Sequence, residues 1–262
     1  MNETEIEAKL AIRSPDPEGT LCAMAALREV GGFRLRPAST HRIRDIYLQL
    51  PDAHIHEGPH GPLALRRRTV TEDALAGGAV SRALLTLKGS PSADPGIGAS
   101  SGVTRRLEIE VPDDEAGWNR VKRALRSAGV PVDGALEELM PLQVRETHRI
   151  RRAVEPMEGE GAPVADLTLD TVDLVVRGHR VRFREVEVEA LPGVSDPVGL
   201  LRRLQEALRG VVGPDILVPW RLSKLETGLE LERLAMAGDL AGLVSPAGDL
   251  LPRGHDRIQG AA

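Results

Sequence analysis

Apolar and polar side chains alternate with a period of two along much of this chain, the pattern of β-strands whose two faces differ. In "ETEIEAKL", residues 3–10, Glu3, Glu5, Glu7 and Lys9 share one face and Thr4, Ile6, Ala8 and Leu10 the other. Seven further stretches read as strands: "THRIRDIYLQLPD", "GPLALRRRTV", "SRALLTLKGS", "VTRRLEIEV", "LMPLQVRETHRIRRAVE", "VADLTLDTVDLVV" and "HRVRFREVEVEAL". Helical spacing appears between them. One helix is expected over about Thr20–Val30, stopped by Gly31 and Gly32, and a second over Asp114–Ala128 with Trp118, Val121 and Leu125 on its stripe. A third runs Asp196–Leu208, with Leu200, Leu201, Leu204 and Leu208 on its apolar face, and a last begins near Ser223.

Eight strands joined mostly by hairpin-like loops, with helices at intervals, predict an α+β fold: an eight-stranded antiparallel sheet closed into a barrel, helices packed outside. The expected organisation is one domain over residues 1–232 and a flexible C-terminal tail over 233–262, where "AGLVSPAGDLLPRGHDRIQGAA" shows no periodicity.

Composition narrows the function. With 41% hydrophobic and 28% charged residues the chain is a soluble globular protein. A net charge of −5 provides no global field for nucleic acid, and 2% aromatic residues leave few rings for stacking on bases, so a nucleic-acid partner is disfavoured. The single cysteine, Cys22, excludes an internal disulfide and is expected to be buried in its helix. Neither a basic-then-apolar leader nor a membrane-length apolar run is present, so no membrane partner and a cytoplasmic location are expected.

The charged faces change the picture most. "REVEVEA" sets Glu185, Glu187 and Glu189 on one face, "RRLEIEV" sets Arg106, Glu108 and Glu110, "LALRRRT" pairs Arg66 with Arg68, "HRIRR" pairs Arg149 with Arg151, and Lys88 accompanies Thr86. Any one such strand, taken alone, is best explained by a solvated outer face. So many of them, with modest apolar residues opposite, suggest the inverse: apolar faces under helices, charges in the barrel lumen. Buried charges are costly unless they pair or hold counter-ions. Converging carboxylates form a hard oxygen site suited to Mg²⁺ or Mn²⁺, and converging Arg and Lys neutralise a polyphosphate. No glycine-rich phosphate loop is present, so phosphate recognition must rest on side chains.

These residues resemble a known family. "EIEAK" is similar to the E-x-E-x-K signature of the CYTH superfamily, the triphosphate tunnel metalloenzymes, and "RDIYLQLPD", "LALRRRT", "TLKG", "RRLEIEV", "HRIRR", "LTLD", "FREVEVEA" and "SKLE" follow in family order from Glu3 to Leu231. The resemblance, closest to bacterial members, implies a barrel whose tunnel binds a triphosphate with a divalent metal. It implies Glu7, Glu187 and Glu189 as metal ligands, Glu108 as a ligand to a second metal, and Glu5 as the residue that positions the attacking water. Lys9, Arg66, Arg68, Lys88, Arg149 and Arg151 would hold phosphates, with Lys9 also placed among the catalytic residues. Arg106 would line the tunnel beside Glu108 and Glu110, and Lys224 would reach a terminal phosphate. The family often has Tyr-x-Asp-Thr where this chain reads "YLQL", so Gln49 and Leu50 leave the choice of substrate open.

The first reading is therefore a metal-dependent triphosphatase acting on inorganic triphosphate, its partner a small-molecule triphosphate or polyphosphate; a homodimer is compatible with it. Thiamine triphosphatase and class IV adenylate cyclase are the enzyme alternatives, and a non-catalytic polyphosphate- or nucleotide-binding module the third. An apolar-ligand barrel is disfavoured by the charged lumen. Some residues carry no assignment. Arg42, Arg44, Arg182 and Arg184 are expected to be solvated, His41, His54, His56 and His60 to be loop histidines without a metal, and Trp118 and Trp220 to pack helices.

Overall fold

The computed structural model describes residues 3–49, 63–73, 79–91, 102–130, 139–158 and 161–260. In chain order the elements are β1 (Glu3–Ile12), α1 (Pro17–Ala26), β2 (Glu29–Val30), β3 (Phe33–Leu35), β4 (Ser39–Gln49), β5 (Ala64–Asp73), β6 (Ala79–Pro91), β7 (Val103–Pro112) and α2 (Glu115–Ser127). They continue with β8 (Met140–Pro156), β9 (Ala165–Val176), β10 (His179–Ala190), α3 (Pro197–Val212), β11 (Leu217–Pro219), α4 (Lys224–Met236) and α5 (Pro252–Gln259). The hydrogen-bonded order is β8-β4-β5-β6-β7-β1-β10-β9, and β9 pairs again with β8. Eight long strands thus form a closed antiparallel barrel, accompanied among the described residues by five helices. The short strands are additions: β2 and β3 extend from β8, and β11 pairs with β1.

Local chemistry explains the element boundaries. Three helices open with Asp-x-x-Gly, in which Asp16, Asp114 and Asp196 accept a hydrogen bond from the backbone N–H of Gly19, Gly117 and Gly199. The wrap is tight enough to need glycine: a Cβ at Gly19 or Gly199 would lie 2.1 or 1.9 Å from the capping carboxylate. The first helix ends at Ala26, short of the Val30 expected from its pattern. Gly31 and Gly32, both at positive φ, instead turn the chain into the β2–β3 hairpin, as a Gly-Gly pair between short apolar runs allows.

Clustering of contacts divides the chain into two compact units. The first comprises Met1–Glu5, His41–Ser92 and Arg105–Glu146; the second comprises Ile6–Thr40, Ala93–Thr104 and Thr147–Ala262. In the first, Leu65, Leu85, Leu87, Ile109 and Val111 from the sheet pack against Val121 and Leu125 of α2. In the second, Ala8, Leu10, Leu167, Val186 and Val188 pack against Leu200, Leu201, Leu204 and Leu208 of α3. Val172, Leu174 and Trp220 pack with Leu231 and Leu234 of α4 in a further cluster. In both units the apolar strand face lies under a helix, and the alternate, charged face is buried as well: Glu5, Glu7, Lys9, Arg66, Arg106 and Glu185 are all below 10% exposed. The charged faces are not wet surfaces.

Three expectations are corrected. The tail is structured: past α4 the chain lays Asp249 beside Arg182 as a parallel bridge, with Leu250 N–H donating to the Arg182 carbonyl at 2.7 Å, and then forms α5. Its weak periodicity hid two anchors, Leu250 and Ile258, which join the α4 cluster, while the ring of His255 meets Trp220 edge-on. Arg184 is buried, not solvated, because its guanidinium donates to Asp249 at 2.8 Å and to Glu18 at 2.6 Å. Cys22 is exposed, because the buried side of α1 is set by Leu21 and Met24. The tail contact is testable: Ile258→Ala is expected to cost about 2–5 kcal/mol of unfolding free energy in urea titration, whereas a tail without packing would give no change. No helix among the described residues is long and apolar enough to cross a membrane.

Candidate functional site

Each unit carries its own cluster of buried charges. In the second, strand register assembles it. On β1 and β10, Lys9 lies opposite Glu187 and Glu7 opposite Glu189; on β9 and β10, Asp170 lies opposite Glu185 and Asp166 opposite Glu189. Side-chain oxygens of Asp170, Glu185 and Glu187 all come within 4.8 Å of one another. Cations surround them. Arg149 forks onto Asp170 at 2.8 and 2.6 Å and reaches Glu187 at 2.9 Å, while Lys9 is 3.2 Å from Glu187. Lys224, the first residue of α4, is 2.9 Å from Glu187 and 3.0 Å from Asp170, and also pairs with Glu185. A capping box between Ser223 and Glu226 fixes the start of that helix.

The electrostatics separate these carboxylates. Burial pushes each pKa up, but the charges of Lys224, Lys9 and Arg149 outweigh it at Glu187, which is held well below the usual carboxylate range. Asp170 is likewise lowered against its burial by Arg149 and Lys224. At Glu185 burial prevails over Lys224 and Lys9, with Glu187 and Asp170 adding repulsion, and the carboxyl is raised. Among the described residues the Glu185 carboxylate is met by Lys224 and accepts no other hydrogen bond. Three converging carboxylates fit a hard divalent cation better than a soft one.

In the first unit the balance is reversed. Asp45 on β4 accepts a fork from Arg68 at 2.8 and 3.0 Å and lies 3.6 Å from Arg66 and 3.8 Å from Arg145. Arg145 also stacks over the Tyr47 ring, 4.1 Å from its centroid, and Arg66 donates to the Tyr47 hydroxyl at 3.1 Å. Among the described residues, one carboxylate here sits with three guanidiniums, a setting for an anion with several oxygens. Beside it, Glu5 accepts from Lys88 at 2.8 Å and Arg106 at 2.8 Å, and Lys88 is 3.2 Å from Glu108. Burial raises the Glu5 pKa, but Lys88 and Arg106 overcome it and hold the carboxyl well below its ordinary value, whereas burial keeps that of Glu108 raised.

The expected site residues therefore lie in two groups, Glu5, Arg66, Arg68, Lys88, Arg106 and Glu108 in the first unit, Glu7, Lys9, Arg149, Glu187 and Lys224 in the second. Glu189 is exposed at its end of β10, and Arg151 is half exposed, paired with Asp166 at 2.6 Å. Asp170, Glu185, Asp45, Tyr47 and Arg145 had no assigned role. Alternation could have flagged Asp170 through Asp166, Thr168 and Asp170, but its place opposite Glu185 depends on register. Arg42 and Arg44 are exposed. His41 is 3.6 Å from Glu72, while Leu50, His54, His56 and His60 lie outside the described residues.

No protein-family model matches the chain, and no curated protein matches it. Among solved structures, one similar chain is the RNA triphosphatase Pct1 of S. pombe, with 12% sequence identity and a TM-score of 0.32, the match covering 79% of this chain and 83% of that one.

Proposed function

We propose that this chain, a closed antiparallel barrel whose motifs resemble those of the triphosphate tunnel metalloenzymes, is a metal-dependent triphosphatase whose substrate is inorganic triphosphate, cleaved to pyrophosphate and phosphate. The observation that carries the reading is the group of Asp170, Glu185 and Glu187 buried among Lys9, Arg149 and Lys224, hard oxygen donors and phosphate-binding cations in one cluster. Asp170, Glu185 and Glu187 would hold Mg²⁺ or Mn²⁺, with Glu7 and Glu189 beside them on β1 and β10 and Glu108 available to a second ion. When bound, such an ion supplies Lewis-acid polarisation of a phosphoryl oxygen.

The chain's own groups account for the rest. Lys9 and Arg149 bind phosphate oxygens and take up charge on the leaving pyrophosphate. Arg66, Arg68, Lys88 and Arg106 are proposed to bind the phosphate chain, since among the described residues their cluster holds several guanidiniums and an ammonium. Glu5 is assigned to orient the attacking water. Its lowered pKa makes it a weak base, so orientation suits it better than proton removal. Arg151, half exposed and already paired, is expected to contribute little: Arg151→Ala should lower kcat/KM by less than about tenfold, measured beside Arg149→Ala, which should lose more.

A substrate panel tests the reading: phosphate release from inorganic triphosphate, ATP and thiamine triphosphate with Mg²⁺ or Mn²⁺, with cyclic AMP measured in parallel. Release from inorganic triphosphate in preference to the others supports it. Cyclic AMP from ATP would replace it with a cyclase, and binding without turnover with a silent polyphosphate-binding module.

A further inference from the structure

The ammonium of Lys224 sits among the same three carboxylates that would hold a cation, in contact with Asp170, Glu185 and Glu187 at once. It is buried, and its four-carbon stem springs from a helix N-terminus held in place by a capping box. A lysine so placed already does electrostatically part of what a divalent ion would do there: with Arg149 and Lys9 it offsets the mutual repulsion of the carboxylates. An ammonium in contact with all three carboxylates competes with a divalent ion for the same oxygens, which lie within 4.8 Å of one another. The protein contains only four lysines among its 34 basic residues, and Lys9, Lys88 and Lys224 are in the buried charge clusters. Arginine, rigid and forked, is used almost everywhere else. A point charge on a flexible stem is used here.

We propose that Lys224 is a built-in exchangeable cation: it occupies the carboxylate group in the metal-free protein and withdraws when a divalent ion binds, so that metal loading releases its ammonium for an anionic ligand. The proposal rests on the reading of Asp170, Glu185 and Glu187 as the metal centre. By linkage, removing the competing ammonium strengthens metal binding, and an anion that engages the freed ammonium strengthens it further. A fixed lysine would also repel the ion, so tighter binding without it is read together with the labelling of Lys224, which a lysine that stays in place would leave constant.

The test uses the full chain and Mn²⁺ alone. Dissociation constants are measured by electron paramagnetic resonance for the wild type, Lys224→Met and Glu187→Gln. In parallel, amine acetylation of the wild type is followed residue by residue by mass spectrometry as Mn²⁺ is added, with Lys122 on α2 as reference. The expected results are Mn²⁺ binding about tenfold or more tighter in Lys224→Met, the change that about 1.4 kcal/mol of relieved competition produces, and a rise in Lys224 acetylation that saturates with Mn²⁺. The acetylation arm needs no variant, so poor folding of Lys224→Met leaves the exchange testable. If Glu187→Gln loses Mn²⁺ while Lys224→Met binds no tighter and Lys224 labelling stays constant, the exchange is wrong and the metal centre stands. If Glu187→Gln binds Mn²⁺ like the wild type, the metal centre itself is wrong, and the exchange falls with it.

Discussion

Glu187→Gln is expected to abolish most triphosphate turnover while leaving the protein folded. Glu187 accepts from Arg149 and Lys224, each at 2.9 Å, and lies 3.2 Å from Lys9, so one carboxylate ties three cations to the carboxylate group. The amide keeps the volume and one acceptor oxygen but loses the charge that would ligate a metal and that orders the cations. Loss of a residue that merely orients a metal ligand already costs about 10–100-fold; loss of a ligand that also orders the phosphate-binding side chains should lower kcat by about 100-fold or more. Circular dichroism establishes folding, and steady-state kinetics at saturating metal gives the ratio. Activity within tenfold of the wild type would remove Glu187 from the metal site.

Asp45→Asn carries the largest expected effect on stability. Asp45 is the shared counter-ion of Arg66, Arg68 and Arg145, and its side chain is 1% exposed. Neutralising it leaves buried guanidiniums facing one another, a change of the kind that costs about 3–5 kcal/mol. The pH dependence follows from the direction of its shift. Burial raises the Asp45 pKa, but the arginines reverse this and hold it well below the unfolded value of about 3.9. A group lowered on folding contributes its full stability above the unfolded pKa and loses it as pH falls toward the folded one. The gap between wild type and Asp45→Asn should therefore be constant from about pH 6 to 8 and shrink below about pH 4. Denaturant titrations at several pH values read it directly, and a gap that stays constant in acid would mean the arginines do not depend on this carboxylate.

How much of this was legible in the sequence depends on the scale. Period-two alternation located all eight barrel strands, because a strand with one apolar and one charged face leaves a pattern that does not depend on its neighbours. The direction of those faces was legible only in aggregate. Glu5 and Glu7 alone suit a wet surface, and it is the repeated pairing of small apolar faces with charged ones that points the charges inward. Register was not legible. Asp170 stands in "LTLD" and Glu185 in "FREVEVEA" 15 residues later, and only the β9–β10 ladder shows that they face each other. The same limit hid Arg145, whose neighbours Asp45 and Tyr47 come from a strand about 100 residues earlier. The tail misled for a different reason: Leu250 and Ile258 anchor it as sparse apolar residues in a polar stretch, too few to set up a repeated stripe in the sequence.

The central claim is metal-dependent cleavage of a triphosphate, and ³¹P NMR of inorganic triphosphate incubated with the protein tests it most directly. With Mg²⁺ or Mn²⁺ the triphosphate signals should give way to equal amounts of pyrophosphate and phosphate, and excess EDTA should stop the conversion. Triphosphate that persists unchanged with either metal, or is consumed equally fast in EDTA, would contradict the account.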